Sequence, residues 1–158
     1  GATGLTGPNS GQAAFKLSAT QARTLQATGT FDQMTVPLST GVLYGFKAVL
    51  SYSLDNATNG IRLGMLFPAA RRAAVLVTSD ALAGPPGTFA QNLITQGGQS
   101  LLFTSGTTVV RTAFFDGQLL TSAPGNLLFY SANEGNSGTT KVMDGSYIIV
   151  WELGTISV

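Results

Sequence analysis

Residues 43–53 read LYGFKAVLSYS, and their alternation decides the fold. Tyr44, Phe46, Ala48, Leu50 and Tyr52 recur at every second position. Lys47, Val49 and Ser51 fill the positions between. Side chains of a strand point to opposite faces in turn, so period 2 puts the aromatic and aliphatic set on one face. A strand is therefore predicted over Val42–Tyr52, with one face on a core and the other mixed.

The closing stretch YIIVWEL, residues 147–153, reads differently. Tyr147, Ile149, Trp151 and Leu153 share one face; Ile148, Val150 and Glu152 share the other. Both faces are apolar, and a strand apolar on both faces is buried on both. In a sandwich of two sheets the second face must meet something besides the opposite sheet. A symmetric copy of the chain is the economical candidate, and a loop folded over that face is the alternative. Tyr147, Ile149 and Trp151 are thus candidates for the core or a subunit interface. Glu152, a carboxylate in an apolar strand, is expected to pair with an arginine across the sheet or across the interface. Arg71 and Arg72, the one local charge cluster, open an Ala/Val run. They read as a polar strand entrance, or as a contact to an anion or partner, and they complete the set of interface candidates.

Between these strands the chain is punctuated by turn signals: Asn59-Gly60, Gly84-Pro85-Pro86-Gly87, Gly97-Gly98, Asp116-Gly117, Pro124-Gly125-Asn126 and Asp144-Gly145. Short apolar runs lie among them: Ile61–Phe67, Ala73–Thr78, Val109–Phe115 and Leu127–Tyr130. Short strands at this spacing predict an antiparallel all-β sandwich of jelly-roll type. Gln12–Gln26 could form a short helix, but Ser18, Thr20 and Thr24 weaken it, so it reads as an extended arm. Residues 1–22 are assigned to that arm and 23–158 to the sandwich. The arm opens GATGLTGP, with glycine at 1, 4 and 7, the period of a collagen triple helix. Ser10 ends the rhythm.

Composition narrows the function. Of the 158 residues 44% are hydrophobic and 9% charged, against about 25% charged in ordinary soluble domains. The surface must be built from Ser, Thr, Asn, Gln and Gly, or be covered by partners. A net charge of +1 gives no nucleic-acid footprint and no polybasic membrane patch. No apolar run approaches the roughly 18 residues of a membrane helix. Three lysines, Lys16, Lys47 and Lys141, are few for guarding sheet edges, so the edges are expected to be closed by assembly.

Histidine and cysteine are both absent. That removes disulfides, histidine general bases and most zinc sites. DNATNG, residues 55–60, has the look of a calcium loop, but Ala57 stands at a ligand position and Leu66 where the bidentate glutamate belongs. It reads instead as a polar turn with a hairpin signal. Paired carboxylates can hydrolyse glycosides without histidine. Asp32, Asp55, Asp80, Asp116, Glu134, Asp144 and Glu152 are the acids available. No catalytic residue, metal ligand or cofactor is assigned, and the chain is expected not to be an enzyme.

The stretch ATGTFDQMTVPLSTGVLYGFKAVLSYSLDNATNGIRLGMLFPA, residues 27–69, resembles a β-sandwich module of tailed-bacteriophage structural proteins. Gly29, Phe31, Val36, Tyr44, Phe46, Leu50, Tyr52, Gly60 and Pro68 match its pattern. VMDGSYIIVWEL, residues 142–153, is similar to its terminal strand. The resemblance spans most of residues 20–153, departs at Phe67, where a small residue is usual, and is poor over 80–126. Such modules often follow collagen-like tracts. The resemblance implies a virion structural protein at the particle surface, a head decoration (cement) or fibre-head domain. It would be homotrimeric, and its partners would be itself and other virion proteins such as the major capsid protein. The alternative is a receptor-binding fibre tip that recognises host surface glycans through the 80–106 loops.

Overall fold

The computed structural model describes residues 13–24, 26–55, 60–79, 90–104, 110–135 and 138–156. The collagen-like start, the Gly84–Gly87 turn, Asp80 and the 56–59 turn lie outside them. The described residues form strands and a single 3-10 turn at Asp32–Met34. The strands run β1 (Ala13–Lys16), β2 (Gln21–Arg23), β3 (Gly29–Thr30), β4 (Val36–Leu38), β5 (Val42–Leu54), β6 (Gly60–Leu66) and β7 (Ala70–Ser79). They continue with β8 (Ala90–Ile94), β9 (Ser100–Thr104), β10 (Arg111–Thr121), β11 (Gly125–Asn133), β12 (Thr140–Val142) and β13 (Tyr147–Thr155).

Two antiparallel sheets result, so the β-sandwich expected from the alternation is the fold. The larger sheet has the order β1-β13-β5-β10-β7-β8, with β12 and then β2 continuing beside the far end of β5. The smaller has β3 and β4 side by side on β11, followed by β6 and β9. Strands consecutive in sequence mostly change sheet, as in a jelly roll.

β5 is the spine of the larger sheet. Tyr44, Phe46, Ala48, Leu50, Tyr52 and Leu54 are all buried on its inner face. They meet Ile61, Leu63 and Met65 of β6 and Leu127 and Phe129 of β11, in one continuous core. Phe115 of β10 packs edge-on against Phe129 across the two sheets, with centroids 5.1 Å apart at 78°. The Tyr52 hydroxyl stays satisfied in this apolar setting by sharing a 3.2 Å hydrogen bond with Ser79 Oγ.

From Ala13 onward the arm is extended and part of the larger sheet. β1 pairs with β13 and β2 with β12. The Asp144-Gly145 turn forms as expected, with Gly145 at φ +83°. Ser146 Oγ accepts from Ser51 N–H at 3.1 Å and donates to the Met143 carbonyl at 2.8 Å. Leu17 bonds the same turn through the Ser146 carbonyl and the Gly145 N–H, at 2.7 and 2.9 Å.

One turn expectation and one hairpin expectation fail. Asp116-Gly117 is no turn but the middle of β10, where Asp116 opposes Lys47 and Leu76. Glycine is there because β7 comes close: a Cβ on Gly117 would lie 2.6 Å from the Ala74 carbonyl oxygen. Gly117→Ala is therefore expected to lower stability by about 1–3 kcal/mol, the range for overpacking. A urea midpoint shift equivalent to less than about 0.5 kcal/mol would contradict the close approach. Asn59-Gly60 does not close a hairpin either, since β5 and β6 belong to different sheets. A local turn signal reports a change of direction, not which sheet the chain enters next.

Candidate assembly surface

The last strand reads as buried on both faces, and the structure decides which face the chain itself buries. Ile148 and Val150 are buried in the core. Tyr147, Ile149 and Trp151 lie on the outer face of the larger sheet. Of the two places expected for Trp151, the core is excluded: its indole lies flat on the outside, over the partner-strand residue Gly45. A Cβ on Gly45 would sit 2.5 Å from Trp151 Nε1. The missing side chain makes the seat for the ring. Tyr130 lies over Gly64 in the same way on the other sheet, its hydroxyl donating to the Gly98 carbonyl at 2.8 Å.

Cross-strand register assembles the rest of the face, because residues directly opposite on one side of a sheet are neighbours. Tyr147 opposes Val49, which opposes Phe114. The adjacent row runs Ile149, Lys47, Asp116, Leu76 and Leu93. Trp151 and Gly45 continue into Gln118 and Ala74 in the third row. Phe114 is 45% exposed, Leu76 42% and Leu93 55%. Lys47 Nζ lies 3.6 Å from Asp116 Oδ2, both well exposed, so the pair contributes little by itself. A shallow depression of about 250 Å³ lies between Val49, Phe114, Tyr147 and this ion pair. Three aromatic rings and several aliphatic side chains thus share one open sheet face, an arrangement that marks interaction sites when contiguous.

The remaining candidates are placed apart from one another. Arg71 and Arg72 are exposed at the start of β7. Glu152 is exposed near the end of β13. β10 and β5 separate the two strands, about 14 Å at the usual strand spacing, so the chain does not pair Glu152 with Arg71 or Arg72 across its own sheet. Leu153 leaves the Tyr147 row because the register shifts between Glu152 and Gly154. Lys47 sits at the centre of the sheet, and is no edge guard. Phe114, Leu76 and Leu93 were not among the expected site residues. For the first two a signal existed: in Phe114-Phe115 one ring must face outward, and Leu76 lies between the core residues Val75 and Val77.

Elsewhere a groove of about 430 Å³ lies between Phe67–Ala70 and Thr95–Gly97. Gln99 Oε1 holds its far wall by accepting from Thr95 and Gln96 N–H at 2.8 and 2.9 Å. Among the described residues no charged side chain lines it. Among the described residues no cluster of three acidic side chains offers a metal site.

No protein-family model matches the sequence, and no curated protein matches it. Solved structures give distant likenesses. The Eiger TNF of S. frugiperda is 12% identical over 93% of this chain and 94% of its own, with a TM-score of 0.49. The CBM22-1–GH10 modules of Clostridium thermocellum xylanase 10B are 10% identical over 89% of this chain and 26% of theirs, with a TM-score of 0.34. The infectious bursal disease virus VP2 subviral particle gives 12% identity over 92% of this chain and 41% of its own, with a TM-score of 0.24. Likeness this remote says nothing of ligand, partner or activity.

Proposed function

We propose that the chain is a structural module of a bacteriophage particle, displayed on its surface as a head decoration or fibre-head domain. It works by assembling with copies of itself and adhering to other virion proteins such as the major capsid protein. The observation that carries this reading is the open apolar face of the larger sheet, where Tyr147, Trp151 and Phe114 lie in a chain with few charges. A trimer is the expected form, in keeping with the glycine triplets at residues 1–7 and with the module that residues 27–69 and 142–153 resemble. Reinforcement and adhesion need surface area and no reactive group, which suits a chain without histidine. Labelled antibody imaging of intact particles tests the placement. Regular decoration of head or fibre is expected; absence of the chain from purified particles would contradict it.

A non-enzymatic role has its own check. Purified protein is expected to release no oligosaccharide from host capsular or cell-wall polysaccharide over hours. Enzymes typically turn over about 1–1,000 times per second, so even a poor one leaves products in that time. Release abolished by one carboxylate substitution that spares the fold would establish a depolymerase instead.

A second reading, a tip that recognises host glycans, draws support from the uncharged groove at Phe67 and Gln96. Its Phe67 is also the residue at which the chain departs from the phage pattern. Glycan-array binding lost on Phe67→Ala would favour it.

A further inference from the structure

We propose that the groove at Phe67 and a second hollow at Tyr130 form one binding site, and that its ligand is an uncharged oligosaccharide. This rests on the glycan-recognition reading given above and adds to it the class of glycan and the second half of the site. The two hollows share Leu66 as a wall. The second holds about 220 Å³ between Leu66, Gly98, Tyr130, Thr28 and Thr30. None of these residues belongs to the Tyr147 face, so binding here leaves the assembly surface free.

The site is built before any ligand arrives. The β6–β7 and β8–β9 connections meet so closely that a Cβ on Gly97 would lie 2.9 Å from the Phe67 carbonyl oxygen. The turn over residues 95–99 is held in three ways. Gln99 Oε1 closes it on itself by accepting from the Thr95 and Gln96 N–H groups. The Gly98 N–H donates to the Met65 carbonyl at 2.8 Å, which ties the turn to β6. The Gly98 carbonyl accepts from the Tyr130 hydroxyl at 2.8 Å, which ties it to β11. A turn fixed to two neighbouring strands loses little freedom when a ligand seats against it, and that lowers the cost of binding.

The lining selects the class of ligand. Leu66 is 39% exposed, and Phe67 and Pro68 are half-buried, which gives an apolar wall with one aromatic ring. Thr95 and Gln96 are exposed in the same groove, and Thr28 and Thr30 are exposed beside Tyr130. A sugar ring has the same two sides, with C–H groups on its faces and hydroxyls around its rim. Ligand sites combine apolar surface with a few placed polar groups in this way. A lipid chain would leave the threonines and the amide covered and unpaired, which is costly. Among the described residues no charged side chain lines either hollow, so an acidic sugar meets no counter-charge. Arg23 does not supply one. Its guanidinium lies where a Cβ of Gly29 would be, on the face of β3 opposite to Thr30. It is engaged there by the Ala22 and Thr30 carbonyls at 3.0 and 3.4 Å. Arg62 shares the outer face of β6 with Leu66 but lies four residues back, about 13 Å along the strand.

An array carrying neutral and acidic oligosaccharides side by side, probed with the full chain, tests the class. Calorimetry with the tightest neutral binder, at disaccharide and longer chain lengths, tests the site. Neutral glycans are expected to bind, with an affinity unchanged from about 0.05 to 0.5 M salt, a range over which charge contacts are progressively screened. Phe67→Ala is expected to weaken binding at every chain length by at least about tenfold. Gln96 is exposed, so Gln96→Ala opens no cavity in the fold, and it is expected to weaken binding about 2- to 10-fold. Thr30→Trp fills the second hollow from an exposed position. It is expected to weaken the longer chains about tenfold and to leave the disaccharide bound as before. Binding confined to acidic glycans, or an affinity that falls as salt rises, would overturn the class while glycan recognition stands. Neutral glycans bound equally well by all three variants would overturn the site, and a loss on Phe67→Ala with none on Thr30→Trp would overturn its second half. A chain that binds no glycan would overturn the glycan reading as well, and the particle-surface reading has its own test in the imaging above.

Discussion

Phe115→Ala and Phe129→Ala are each expected to lower the free energy of unfolding by about 3–5 kcal/mol, the range for emptying a large buried aromatic site. Both rings are fully buried, one from each sheet, and they meet edge to face at 5.1 Å. They form the contact that ties the larger sheet to the smaller at mid-core. The two losses are not expected to add. The second truncation no longer breaks the ring pair, so the double variant falls short of the sum by about 0.5–1.5 kcal/mol. Urea unfolding of the four proteins in the cycle measures this. Losses below about 1 kcal/mol would mean that the sheets do not pack through these rings.

Tyr147→Asp with Phe114→Asp is expected to act oppositely, leaving the isolated fold nearly intact and abolishing assembly. Tyr147 and Phe114 flank Val49 on the outer face, exposed by 38% and 45%, so their removal opens no cavity in the core. Aromatic anchors near an interface centre contribute about 2 kcal/mol or more each. A carboxylate left there would also be buried without a partner, a further cost. The dissociation constant is therefore expected to rise at least about 100-fold. Loss of folding in this variant would show that the outer face supports the monomer itself. An unchanged oligomer would move the interface elsewhere.

The residues that fixed the fold were legible because they alternate. Val42–Leu54 declares a half-buried strand at every step, and the two-sided apolarity of Tyr147–Val150 declares an outer face that remains open in the single chain. Less was legible where one residue type serves two physical ends. Gly117 after an aspartate looks like a turn, yet it is glycine because the Ala74 carbonyl leaves no room for a Cβ. Gly45 gave no sign of seating Trp151, since a glycine inside a strand is silent about what lies across it. The edge strands β1 to β4 are too short for periodicity to show, and their pairing is set by partners distant in sequence. The outer face was half visible. Its β13 side was read from the last strand, but Phe114, Leu76 and Leu93 join it only through the register of β10, β7 and β8. No local pattern encodes that register.

Sedimentation equilibrium of the isolated chain at micromolar concentration tests most directly the claim that the open face of the larger sheet is an assembly surface. The account predicts a single species of three times the monomer mass, and its conversion to monomer by Tyr147→Asp with Phe114→Asp. A wild-type chain that sediments as a monomer across that range would contradict it.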